Sequence, residues 1–464
     1  MKSKLASLFC CLIVLVSFSG CTKVTQLVKD NQPTKADLLA EINEEHRRWE
    51  GGSSDPTPYL RHYDDPADAQ KSTDYLTDTY SEYDAAKELS LEEAEEDVNY
   101  LFDAFYYDFA FYDYFGGHTV FDQTKAEILQ ELQAKDSLTC KDLQEVLVKH
   151  LTFIKDGHFN INHNFPAEKE IPFFFRQVMF VKTDSGYQDS NGKTVVSVDG
   201  HPDLDTLFKR SISKEGYLVY YPVLLKEAKF DGTEWDKHVC DEQLTVHYAD
   251  GSTDVLTADT WSQYYKDLPK DQNTDLRQTD GIPVFQFNSF DGSFLQEVNA
   301  AAAQMSDAAI SMLDLRSNVG GYEEVAHQWI TRYSRQRVQG NGVRYDVVNP
   351  VSVAIAHRWQ THDNILILLS GKCSASSAEI TMDLAYNLEN SLIIGENTNG
   401  CMIGNGGHVE LPNSKCSVIM TSVCVYLLPE GADYFEEMRG LSPDIWVPAK
   451  EAETLAAKLM ENLK

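Results

Sequence analysis

Ser374, Ser376 and Ser377 sit in a tight turn between an apolar run and a helix-spaced stretch, where a hydroxyl can serve as a nucleophile. Asn364 to Leu369 is the continuous apolar pattern of a strand buried on both faces. Ser370-Gly371-Lys372-Cys373-Ser374-Ala375 breaks it with small residues. From Ser376 the spacing turns helical, with Ile380, Leu384 and Leu388 one turn apart on one face. A serine at such a helix mouth stands clear of the sheet, and the unpaired N–H groups of the first turn can bind an oxyanion. Turn and N-cap serines are also common for structural reasons alone. This stretch therefore decides nothing by itself.

Other pieces carry related chemistry. Asp314-Leu315-Arg316-Ser317-Asn318-Val319-Gly320-Gly321 ends a strand with a double glycine that lets backbone approach a ligand and offers further N–H donors. A phosphate cradle is excluded, because the P-loop lysine and hydroxyl are missing. Gly395-Glu396-Asn397-Thr398-Asn399-Gly400-Cys401 follows another strand, and Glu437-Met438-Arg439-Gly440 opens a turn that leads through Asp444 into Ile445. Asp156-Gly157 stops a helix, and His158 follows directly. A lone histidine is most often structural. In a strand, His158 and His163 would point to opposite faces, so a metal pair is excluded. No CxxC pair occurs, and neither metal nor cofactor is expected.

The elements that must position these groups are legible in order. Lys2 and Lys4 precede an apolar core from Leu5 to Phe18 that is too short to span a bilayer, and Ser19-Gly20-Cys21 follows in lipobox fashion. Residues 1–20 read as a lipoprotein signal peptide, with Cys21 the lipidated residue of an exported, membrane-anchored chain of a Gram-negative-type envelope, periplasmic or cell-surface. Their removal takes the formal charge from −32 to −34, which excludes nucleic acid as a partner. Residues 21–85 read as an acidic tether or N-terminal extension. A helical domain spans 86–160. It opens on the capping box Ser90-Leu91-Glu92-Glu93, with the stripe Ala94, Val98, Leu101, Phe102 and Phe105, and continues in helices near 125–134 and 141–154. Residues 161–275 are β-rich, either a degenerate PDZ-like peptide-binding module or a structural insert. Residues 276–464 alternate strand and helix, the pattern of an α/β sheet covered by helices. Six cysteines remain beyond Cys21, and export permits disulfides among them without fixing the pairing.

Taken together, the Asp314–Gly321, Cys373–Glu379, Gly395–Gly400 and Gly440–Ile445 segments, preceded by Asp156-Gly157-His158, resemble in order and spacing the C-terminal processing (tail-specific) serine peptidases and their tricorn relatives. The resemblance runs from about Ser90 to Val447. It implies a crotonase/ClpP-like α/β catalytic domain, often with a PDZ-like insert, and endoproteolysis of protein or peptide substrates. Carried over residue by residue, it implies Ser376 as nucleophile, Glu379 as the marker of the serine motif, and Gly320 or Gly321 with Ser377 as oxyanion hole. Cys401 stands where serine–lysine members carry their lysine, and a neutral cysteine cannot accept the serine proton. That departure resembles the tricorn-like branch, which implies His158 as general base and Glu437 as orienting carboxylate. Tricorn proteases have a serine beside this histidine, where Gly157 stands here. Cys373 and Cys401 flank the site as a candidate disulfide. A catalytically inactive peptide- or ligand-binding lipoprotein on the same fold is the alternative. A crotonase-like enzyme acting on acyl-CoA is disfavoured by the helical front domain, the lipobox and the lack of a nucleotide site. Oligomeric state has no signature.

Overall fold

Capping boxes start most of the front helices. Thr34 with Asp37 begins α1 (Lys35–Arg47), Ser90 with Glu93 begins α2 (Leu91–Asp108), and Thr139 with Asp142 begins α4 (Cys140–His150), while α3 (Gly117–Gln133) follows Gly116. Each box satisfies orphan amides at the helix start from both directions. The structure is a computed structural model describing residues 24–71, 74–229, 237–269, 271–348 and 359–463. The signal segment and Cys21 lie outside the described residues. Among the described residues, no helix is long and apolar enough to cross a membrane.

The stripe of α2 is buried as its spacing requires, with Ala94, Val98, Leu101 and Phe105 fully covered. The acidic stretch before it is not all loop. Leu38 and Ile42 of α1 are fully buried beneath the main sheet, contributing about 2 kcal/mol each by apolar burial. The β-rich part begins with β1 (Lys169–Phe174), paired antiparallel to β2 (Leu218–Ala228), over a core that includes Ile171, Phe173 and Val246.

The α/β part is built on β3 (Thr274–Thr279), β4 (Ile282–Phe287), α5 (Leu295–Met305), β5 (Ile310–Asp314), α6 (Glu323–Ser334), β6 (Ile365–Ser370), α7 (Ser377–Ala385) and β7 (Ser391–Gly395). It continues in β8 (Gly404–Glu410), β9 (Ser417–Leu427), β10 (Ile445–Trp446) and α8 (Ala452–Asn462). The sheet order is β3-β4-β5-β6-β7-β10, parallel throughout except for the antiparallel β3–β4 hairpin. Alternate residues of β6 serve opposite faces. Leu366 and Leu368 pack with α5, α6 and α7, whereas Ile365, Ile367 and Leu369 pack with α1 and α8. A sheet covered on both faces explains the unbroken apolar run.

β8 and β9 form a second sheet, and β9 carries the functional connection to the front domain. Val418 pairs with Ile161 and Ile419 with Asn160, which fastens the chain just after His158 to the α/β part. The expected strand from His158 to His163 shrinks to Asn160–Ile161, because Asn162 and His163 turn the chain at positive φ.

Candidate active site

Between Ile365 and Leu388, Ser376 is the one residue that is not buried. It lies at the mouth of α7 with φ +54° and ψ −117°, a strained conformation for a residue with a side chain. The neighbouring serines have structural duties. Ser374 donates its hydroxyl to the Leu315 carbonyl at 2.8 Å, and Ser377 donates to the Gly321 carbonyl at 2.7 Å. These bonds, with Ala375 N–H to the Asn318 carbonyl at 2.9 Å, lash the serine turn to the glycine loop.

Gly320 shows why that loop needs glycine. A Cβ there would lie 2.8 Å from Ser376 Cβ and 2.9 Å from the Ala375 carbonyl, at φ +95°. Of the two glycines expected as donors, Gly320 gives its N–H to Asn318 Oδ1 at 2.8 Å. The amides of Gly321 and Ser377 have no protein acceptor among the described residues.

Glu379 is more than a sequence marker. Its fully buried carboxylate accepts Ser376 N–H at 3.0 Å, Cys401 N–H at 3.0 Å, Gly400 N–H at 2.7 Å and the Thr398 hydroxyl at 2.5 Å. One side chain thereby sets both the strained serine and the 398–401 loop. A glutamine here turns one acceptor into a donor aimed at other donors. Glu379→Gln should cost about 2–5 kcal/mol, read as a lowered urea midpoint. An unchanged midpoint would show that the hub is dispensable.

His158 arrives from the other side. Its ring is 11% exposed, lies against Gly406 of β8, and has its buried Nδ1 without a hydrogen-bond partner. Burial pushes its pKa below the ordinary 6.5, opposed by Asp156 and Glu379 and assisted by Lys169. The imidazole is therefore neutral at neutral pH, as a proton acceptor must be. Gly157, next to it, packs on Gly400 and Cys401 so closely that a Cβ would sit 1.9 Å from the Gly400 carbonyl. A serine cannot occupy that position. Cys401 Sγ in turn accepts the Ser376 N–H at 3.2 Å. The histidine loop and the serine turn thus rest on the same residue, although the two side chains share no hydrogen bond among the described residues.

The expected carboxylate is displaced. Glu437 accepts Gly157 N–H at 2.8 Å and Ile403 N–H at 3.3 Å, so it holds the backbone beside the histidine and makes no bond to the ring. Burial, with Asp156 and Glu379 nearby, pushes its pKa well up, which leaves it a poor counter-charge. Asp156 is the carboxylate facing the imidazole, with Oδ1 3.9 Å from His158 Nδ1. It is fixed by Thr421, through the hydroxyl at 2.9 Å and the N–H at 2.8 Å. The candidate disulfide between Cys373 and Cys401 does not form. Burial and Glu379 push the Cys401 thiol far up, which disqualifies it as a nucleophile. Among the described residues there is no cluster of metal-ligating side chains.

Lys169 was not foreseen. Buried at the start of β1, it donates to the Gly157 carbonyl at 2.9 Å and to Asn399 Oδ1. Asn399 donates its N–H to the Ser374 carbonyl at 2.8 Å and its side-chain amide to the Lys372 carbonyl at 3.1 Å. One ammonium thus ties the histidine loop to the serine turn. Nothing in the local sequence Glu168-Lys169-Glu170 signals this, because Gly157 lies twelve residues upstream and Asn399 far downstream. Lys372 is also buried, with its pKa lowered to about 7 chiefly by burial, and it donates to the carbonyls of Thr398 at 2.7 Å and Arg439 at 2.9 Å. Lys169→Met should lower kcat about 10- to 100-fold, the size of a small misplacement of reacting groups. It should also move the acid limb of kcat/KM to higher pH, because a cation that depresses the His158 pKa is gone. An unmoved acid limb would reduce Lys169 to a packing residue.

Comparisons with known proteins concern the same part of the chain. The family model for peptidase family S41 matches residues 281–447, which contain the glycine loop, Ser376, Cys401 and Glu437. No curated protein sequence matches the chain. Among solved structures, mature CPAF aligns at 12% identity over 80% of this chain and 96% of its own, with a TM-score of 0.42. The photosystem II D1 C-terminal processing protease aligns at 14% identity over 80% and 97%, with a TM-score of 0.37. A putative S41 protease from Bacteroides fragilis aligns at 14% identity over 69% and 90%, with a TM-score of 0.35. Likeness at this level transfers no residue role. The family match spans the serine-bearing part of the sheet, and the chain is accordingly a serine peptidase whose residues 281–447 are similar to peptidase family S41.

Proposed function

We propose that this chain is an exported, lipid-anchored endopeptidase that cleaves through an acyl-enzyme on Ser376. The observation that carries the reading is the pairing at Cys401: a half-exposed, strained serine at a helix mouth and a neutral histidine loop both rest on that residue. Ser376 Oγ attacks the scissile carbonyl carbon while His158 takes the hydroxyl proton. The carbonyl oxygen becomes an oxyanion held by the Gly321 and Ser377 amides at the N-terminus of α7. His158 returns the proton to the leaving amine, and water then releases the acyl group by the same route in reverse. Asp156 stabilises the imidazolium that forms in each half, and Glu437 keeps the loop in place. The replacement of a lysine base by histidine supports the tricorn-like branch. The helix-covered parallel sheet and the β-rich segment are consistent with a crotonase/ClpP-like domain carrying a PDZ-like insert. The Lys2–Cys21 pattern supports the lipid anchor.

A fluorophosphonate probe tests this directly. Wild type should be labelled on Ser376, located by mass spectrometry, and Ser376→Ala should not. Labelling elsewhere, or none on folded wild type, would overturn the assignment.

A further inference from the structure

A cavity of about 600 Å³ opens on the Glu437 side of the histidine loop, and part of its wall is supplied by Asp55, Pro58 and Tyr59 of the N-terminal extension. Its apolar surface is a cluster of rings, Tyr59, Phe111, Tyr114 and Phe115. Tyr59 stacks on Tyr114 with centroids 4.9 Å apart and meets Phe111 at 5.6 Å, while Tyr114 remains 50% exposed. Glu437 lines the same cavity and accepts the Gly157 N–H, so one wall of the cavity touches the backbone next to His158.

The rim is strongly and unevenly acidic. Its two cations are already engaged. Arg439 is held by Glu170 at 2.5 Å and Glu436 at 2.6 Å, and Lys155 lies 4.0 Å from Glu227. Asp55, Glu168 and Glu430 also line the cavity and have no cationic partner among the described residues. An aromatic lining, of which Tyr114 is the exposed member, together with unpaired carboxylates suits a long side chain with an apolar stem and a cationic head. A carboxylate-bearing side chain would be repelled.

We infer that this cavity is a specificity subsite that takes a lysine or arginine side chain of the substrate, close to the bond cleaved. The inference rests on the peptidase reading for its location, while the cation preference stands on the cavity alone. Basic residues complement a mature chain of charge −34, but the rings and the place beside the histidine loop confine recognition to one side chain of the peptide.

Affinity selection separates the two claims. The full chain carrying Ser376→Ala is immobilised and exposed to a randomised octapeptide library at low salt, and bound peptides are sequenced by mass spectrometry. Lysine and arginine should be enriched several-fold, with aspartate and glutamate depleted. In the same background, Glu168→Gln with Glu430→Gln should bring the enrichment close to unity. The same pair of substitutions in the wild-type background should leave fluorophosphonate labelling of Ser376 intact, which certifies the fold. No enrichment, or enrichment that survives the double substitution, overturns the subsite. Basic enrichment without any labelling of Ser376 in wild type would instead keep the cavity as a cation-binding site and remove the peptidase assignment.

Discussion

Ser376→Ala should reduce peptide hydrolysis by about 10⁴-fold or more, the usual cost of deleting an acylation nucleophile. Thermal stability should stay within about 0.5 kcal/mol, because only a half-exposed hydroxyl is lost. The neighbouring serines give the contrast. Ser374→Ala and Ser377→Ala each remove a bond to the glycine loop and should cost about 1 kcal/mol of stability. Both should nonetheless retain fluorophosphonate labelling at Ser376. Parallel assays of turnover and unfolding on the three variants resolve which serine carries the chemistry. If Ser374→Ala or Ser377→Ala proved the inactive but stable one, the nucleophile would be misassigned.

The local rules explain why so much of the α/β part could be read in advance. An unbroken apolar run followed by small residues and a helical period has few other structural solutions, and β6 and α7 occupy that solution. The capping box at Ser90 and the stripe after it specify α2 with equal economy, because both signals lie within a few residues of each other. What stayed hidden is long-range. Glu379 could be marked from its spacing to Ser376, yet its role as a hub depends on amides of Gly400 and Cys401 that only the fold brings to it. Asp156 was part of a recognised motif but carried no assigned work, since its distance to the imidazole is set by Thr421 on β9. Glu437 was placed in the right neighbourhood, and its contacts are to the Gly157 and Ile403 amides beside the histidine. A carboxylate that caps an amide and one that faces a ring look alike in sequence. Lys169 is the extreme case, a buried cation whose hydrogen bonds go to a backbone carbonyl and an amide oxygen outside its own strand.

His158→Ala should cost turnover about as heavily as loss of the serine, since the two act as one unit. Its pH behaviour is the sharper test. The free enzyme needs a neutral imidazole, so kcat/KM rises with pH as His158 sheds its proton and then levels off. Burial holds the folded pKa below 6.5, so the midpoint of the acid limb should lie below pH 6.5. An ordinary exposed histidine would place that midpoint at about 6.5. Asp156 works against that burial by favouring the protonated ring. In Asp156→Asn the acid limb should therefore move to still lower pH, while the plateau falls because the imidazolium formed in the reaction loses its counter-charge. Removing Lys169 shifts the limb the opposite way. Opposite displacements from two substitutions on either side of one ring are hard to obtain from unfolding, which would lower activity without moving the limb in a charge-dependent direction. If both variants left the limb in place, some other group would be taking the serine proton. Lys372, buried with a pKa near 7, would then be the residue to replace next.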